Sequence, residues 1–183
     1  MASNRHLGRI IALQTLYEQD FRRASEDANF ELATVLARNI SRYETMVDDK
    51  AFIERLVEGV TKHEKELDVA LQPIAPEWPI DQIARMDRVI LRIGLYELLY
   101  HKDVPAKVVI NEAVELAKAF GSENSSKFVN GVLGTALRNQ EGGEPAQSKK
   151  TEKPEPESAE DTKKAEAAKP PEKQSVEPEE EGK

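Results

Sequence analysis

Along most of the chain apolar residues recur three or four positions apart. That period puts them on one face of a helix and predicts an all-helical fold. Alternating strand patterns are missing, as are the Asn-Gly or Asp-Gly turns that hairpins use. A first helix is expected from Ser3 or Asn4, which can cap free backbone N–H groups, to about Asp20. Its inward face is Leu7, Ile10, Ile11, Leu13, Leu16 and Tyr17. A second starts at Ser25 or Asp27 and carries Leu32, Val35, Leu36, Ile40 and Tyr43. A third, capped by Asp48 or Asp49, runs through Phe52, Ile53, Leu56, Val57, Val60, Leu67 and Leu71 until Pro73, Pro76 and Pro79 stop it.

The stretch Ile80 to Tyr100 is apolar over much of its circumference, which marks a central helix; a break is expected near Arg85. Asp103, Val104 and Pro105 introduce a helix with Val109, Ile110, Val114, Leu116, Ala117 and Phe120. Gly121 is expected to end it in the left-handed conformation. After Ser122 to Ser126, a last helix carries Phe128, Val129, Val132, Leu133 and Leu137. The expectation is six or seven helices in two packed sub-bundles, roughly residues 1–75 and 77–139.

Composition separates the end of the chain from the rest. Of 71 apolar residues among the 183, 65 lie before position 140; the other six are five alanines and Val176. Residues 140–183 also hold six of the ten prolines and a net charge of −5, against −3 for residues 1–139. Such a segment has too little apolar surface to offset its ordering entropy. We therefore expect a folded domain at 1–139 and a disordered, acidic tail rich in Pro, Lys, Glu and Ala at 140–183. No apolar run is long enough to span a membrane: Arg92 and Glu97 break the densest one. The N-terminus lacks a signal-peptide core, so a cytoplasmic location is expected.

Few residues offer catalytic or metal chemistry. With no Cys there is no disulfide, thiolate metal site or cysteine nucleophile. His6, His63 and His101 lie far apart and lack metal-pair spacing. No glycine-rich phosphate loop is present, and acidic pairs such as Glu112/Glu115 match solvated helix faces. No enzyme, cofactor or metal is expected. More informative is the first helix, where Arg5, His6 and Arg9 occupy the opening turns and no acid precedes Glu18. Positive charge there opposes the helix macrodipole, so helix stability does not explain it. Arg5 and Arg9, four apart, suit phosphate or base contacts on one face; an ordinary solvated helix end is the alternative.

Four segments taken together carry a resemblance. They are Ala12–Tyr17 (ALQTLY), Asp87–Ile93 (DRVILRI) with Tyr96-Glu97-Leu98, Val104-Pro105 leading to Ile110–Lys118 (INEAVELAK), and Lys127–Leu133 (KFVNGVL). In this order and spacing the chain, over about residues 4–139, resembles the NusB family of bacterial transcription antitermination factors. The resemblance implies an RNA-binding helical domain that pairs with NusE, a small-subunit ribosomal protein, on boxA-type elements of nascent ribosomal RNA. It also implies contact, through other Nus factors, with the elongating RNA polymerase complex.

Carried over by position, Arg5, Arg9, Lys127 and Phe128 correspond to the RNA-contacting residues, and Tyr17 and Asp87 to residues facing NusE. Each also has a plain reading: Phe128 as core, Tyr17 as a half-buried aromatic, Asp87 as the acid of a helix ion pair. One departure stands out. The family's opening turns usually carry three or four arginines, and here His6, Leu7 and Gly8 interrupt the run. Fewer cations release fewer counterions, so weaker RNA binding with a shallower salt dependence is expected. A bundle that binds a ribosomal or polymerase-associated protein without RNA is the rival reading.

Overall fold

The computed structural model describes residues 2–142, with side chains from Asn4 onward. Among the described residues there are seven α-helices and no strand: α1 (Ala2–Ala24), α2 (Leu32–Arg42), α3 (Lys50–Lys62), α4 (Glu64–Leu71), α5 (Arg85–Tyr100), α6 (Ala106–Phe120) and α7 (Ser125–Gln140). A single 3-10 turn, Ile80–Gln82, precedes α5. The expected tail lies almost wholly outside the described residues; of its span only Gln140, which ends α7, and the turn at Glu141 and Gly142 fall inside.

Several boundaries differ from the sequence pattern for local reasons. α1 continues to Ala24, beyond the expected Asp20, because Asp20 is held by arginines of α5 instead of facing solvent. α2 begins at Leu32, not near Ser25. There Asp27 accepts from the Asn29 backbone N–H and binds Arg22, while Glu26 takes a positive φ of 53°, so the chain turns before it coils. The long third helix is two, parted at His63, whose backbone leaves helical geometry at φ −99°, ψ 11°. Asp49 is the cap, its carboxylate accepting from the Phe52 N–H. The break near Arg85 is present, with Ile83 and Ala84 extended. Gly121 is extended (φ −90°, ψ −172°), not left-handed; the Ser122 N–H bonds the Ser125 hydroxyl at 2.8 Å, and the chain passes directly into α7.

α5 organises the packing. It contacts α1, α3 and α4 as well as α6 and α7, so the two expected groups share one helix and one continuous core. Val89, Ile90, Leu91, Ile93, Leu95 and Leu98 are all buried on it. Asp87, Arg92 and Glu97 are buried there too. Three ionisable residues inside a central helix require partners, and the pairing of two of them builds the neighbourhood of the candidate site.

Candidate nucleic-acid and partner interface

The opening turns of α1 lie against α3 and α5 and reach Glu112 in the middle of α6. Arg9 is buried: its Nε donates to Glu97 Oε2 at 2.9 Å and its Nη2 to Glu97 Oε1 at 2.7 Å. Its Nη1 stands 3.5 Å from Glu112 Oε2, the oxygen that also meets His6 Nδ1 at 2.8 Å. Arg5 is different. It stays 44% exposed, with a long 3.7 Å ion pair to Asp103, and both guanidinium groups lie over the Phe52 ring, at 5.4 Å for Arg5 and 5.3 Å for Arg9. Gly8 explains the interruption between the arginines, since a Cβ there would come within 3.0 Å of Phe52 Cδ1. The helix thus gives up a side chain to approach α3 closely.

The two arginines expected on one free face therefore separate: Arg5 faces solvent and Arg9 is a buried tie between α1 and α5. At the other candidate patch, Lys127 is exposed in the first turn of α7, whereas Phe128 is 2% exposed and sits among the largest fully buried side chains. Its ring fills the core and offers no face to a base in this conformation. The plain reading of Phe128 is the one its packing supports.

Tyr17 and Asp87 have different surroundings. Tyr17 is half-buried on α1, and the Arg85 guanidinium sits 5.9 Å from its ring and 5.2 Å from that of Phe21. Phe21 is 49% exposed. Arg85 also donates to Asp20, giving an exposed aromatic and cationic patch across α1 and α5. Asp87 is fully buried beside Ser125 of α7 and is not the acid of an ion pair. Neither of its oxygens makes a good hydrogen bond within the chain. Burial pushes its carboxyl above the usual range, and the interaction with Ser125 offsets only part of that rise.

Sequence reasoning missed the ion-pair network beside this patch. Asp20 binds Arg85 and Arg88 at 2.9 Å each and Arg92 at 3.3 Å, and Arg92 continues to Asp68 at 2.7 Å and Glu64 at 3.0 Å. Burial alone would raise the Asp20 pKa; the charges and hydrogen bonds of the arginines outweigh it and hold the carboxyl below its ordinary value. The signal was Arg92 and Glu97 interrupting an apolar helix, but their partners lie 24 to 88 residues away. Among the described residues no cluster of three metal-ligating side chains occurs, and no helix is long and apolar enough to cross a membrane.

A bundle of seven helices among the described residues, with an exposed arginine and an aromatic patch on its first helix, defines a class, and comparison with known proteins defines the family. The model of the NusB family matches residues 6–138. The transcription antitermination protein NusB of Chloroflexus aggregans is 45% identical over 139 residues, covering 75% of this chain and 89% of that protein. The NusB of Roseiflexus castenholzii is also 45% identical, over 94% of its length. Among solved structures, NusB of T. maritima superposes with a TM-score of 0.66 at 32% identity, covering 73% of this chain and 90% of that one. A structure of antitermination factors NusB and NusE in complex with double-stranded RNA matches with a TM-score of 0.66 at 25% identity, covering 76% and 99%. The chain belongs to the NusB family, whose members are transcription antitermination factors and not enzymes.

Proposed function

We propose that this protein binds boxA-type RNA together with NusE and, through other Nus factors, acts on the elongating RNA polymerase complex in the cytoplasm, supporting ribosomal RNA transcription and processing. The observation that carries the reading is the likeness, over nearly that chain's whole length, to a NusB solved together with NusE and RNA. Arg5 and Lys127 are the exposed cations of the two RNA patches. Tyr17, with Arg85 and Phe21 beside it, is the partner-facing patch. Arg9 and Phe128 act from within, by fixing the helices that carry these residues. The functional domain ends with α7, and the acidic tail is an appendage to it.

The test is anisotropy of a labelled boxA RNA across a salt series, with and without NusE. Affinity that rises with NusE, falls with salt and is lost on scrambling boxA supports the reading. With few phosphate contacts the salt slope is shallow, about −0.7 per contact for a single strand. The rival, a protein-interaction module without RNA contact, draws support from one observation: the sequestration of Arg9 leaves Arg5 as the exposed member of the arginine pair. NusE binding with RNA affinity no better than for a scrambled strand would establish it.

A further inference from the structure

A row of four aromatic rings lies at the C-terminal end of α5, outside every residue assigned so far. Tyr96 and Tyr100, one turn apart, stack with centroids 5.0 Å apart and planes at 29°. The His63 ring, at the junction of α3 and α4, is 4.6 Å from Tyr100, and His101 meets Tyr96 edge-on at 5.3 Å. The inner end is fixed by packing: a Cβ on Gly59 would overlap the Tyr96 hydroxyl, so α3 and α5 close around that ring. The outer end is uncovered. Tyr100 is 46% exposed, yet its hydroxyl is anchored, donating to Glu66 at 3.2 Å and lying 3.3 Å from His63 Nδ1.

This row is continuous with Arg5. Asp103 bridges the two, 3.7 Å from the Arg5 guanidinium and 3.9 Å from His101 Nδ1. Exposed Lys62 and Lys102 flank the two histidines along the chain. The Arg5–Asp103 pair is long and solvated on both sides, so an incoming phosphate exchanges for Asp103 at little cost. An anchored, half-exposed ring loses little further freedom when something stacks on it. Unpaired bases stack on such rings irrespective of sequence.

We infer that the Tyr96–Tyr100–His63 row is a stacking platform that extends the RNA track from Arg5, with Tyr100 receiving an unpaired base that flanks the boxA-type element. This rests on the RNA-binding reading above. The platform adds affinity without adding specificity, and it makes up in part for the short arginine run at the start of α1.

The test uses the full chain with NusE, and single-stranded RNAs carrying boxA alone or boxA extended on either side, with 2-aminopurine placed in the extension. Tyr100→Ala and Tyr100→Leu should weaken binding of the extended RNA by roughly 5- to 100-fold and abolish 2-aminopurine quenching. Tyr100→Phe should retain the quenching and most of the affinity, losing only what the hydroxyl anchor contributes, and boxA alone should bind all variants alike. Tyr100→Leu keeps apolar bulk, so it separates stacking from packing if Tyr100→Ala lowers the melting point. Unchanged affinity in both variants, while Arg5→Ala weakens binding, overturns the inference and leaves the RNA reading intact. Loss of NusE binding instead makes the row a protein-docking face. RNA binding by the wild type that ignores boxA overturns both.

Discussion

Arg9 and Glu97 join α1 to α5 through two parallel hydrogen bonds, at 2.9 and 2.7 Å, with both side chains out of contact with water. A buried guanidinium–carboxylate fork is strong only while both halves are present, since removal of one leaves the other charged and unsolvated. Arg9→Ala should therefore lower stability by about 3–5 kcal/mol. Arg9→Lys should recover only part, because an ammonium cannot reproduce the fork. Arg5→Ala should leave the melting midpoint nearly unchanged and weaken RNA binding. Thermal denaturation and anisotropy on the same samples separate the two, and equal stability loss in both variants would contradict the assignment.

The neighbouring residues Lys127 and Phe128 should behave as oppositely as the two arginines. Phe128→Ala removes a core ring and should cost about 3–5 kcal/mol, measured by urea titration. Lys127→Ala should leave the urea midpoint in place and reduce the salt sensitivity of RNA binding. A stable Phe128→Ala variant with weakened RNA binding would restore the stacking role that burial argues against.

Asp87 gives a pH dependence of unusual sign. Its folded-state pKa is raised by burial above the unfolded value. Ionisation therefore opposes folding: the penalty grows as pH rises from the unfolded pKa toward the folded one, then stays constant. Asp87→Asn should raise the melting midpoint at neutral pH, and the gain should disappear below about pH 4, where the wild-type carboxyl is protonated in both states. A midpoint that falls at neutral pH would show that the charge is needed.

Asp20 should give the opposite profile. Its pKa is lowered in the fold by Arg88, Arg92 and Arg85 against the effect of burial. Its contribution is present above the unfolded pKa and lost as pH falls through the folded one. Asp20→Asn should destabilise by about 1.5–3 kcal/mol at neutral pH, the range for hydrogen bonds to charged groups. The difference from wild type should shrink in acid.

Helix order was legible because each apolar stripe repeats at the helical period, and the Pro73-Ile74-Ala75-Pro76 run marked the gap before α5 without ambiguity. Boundaries set by tertiary contacts were not. Nothing local to Asp20 announces three arginines from α5, and nothing at His63 shows that α3 must bend there. For the site residues the limit is similar. Spacing puts Arg5 and Arg9 on one helix face, but which of them meets water depends on Glu97, 88 residues from Arg9. Phe128 shows the same limit: the helical period that placed it in an amphipathic helix was compatible with core or surface, and tertiary packing put it in the core.

α1 carries Arg5 near one end and Tyr17 twelve residues later, with no break between them. At 1.5 Å per residue the two lie about 18 Å apart along one rigid axis. The helix is thus a ruler as well as a scaffold: it sets both the distance and the angular phase between the proposed RNA-facing and partner-facing patches. One alanine inserted between Gly8 and Tyr17 would advance Arg5 by only about 1.5 Å but swing it roughly 100° around the axis. Because Gly8 packs on Phe52 and Arg9 is forked to Glu97, the insertion would also force one half of the helix out of register with α3 and α5. Length changes in this helix should accordingly be far less tolerated than substitutions at either patch.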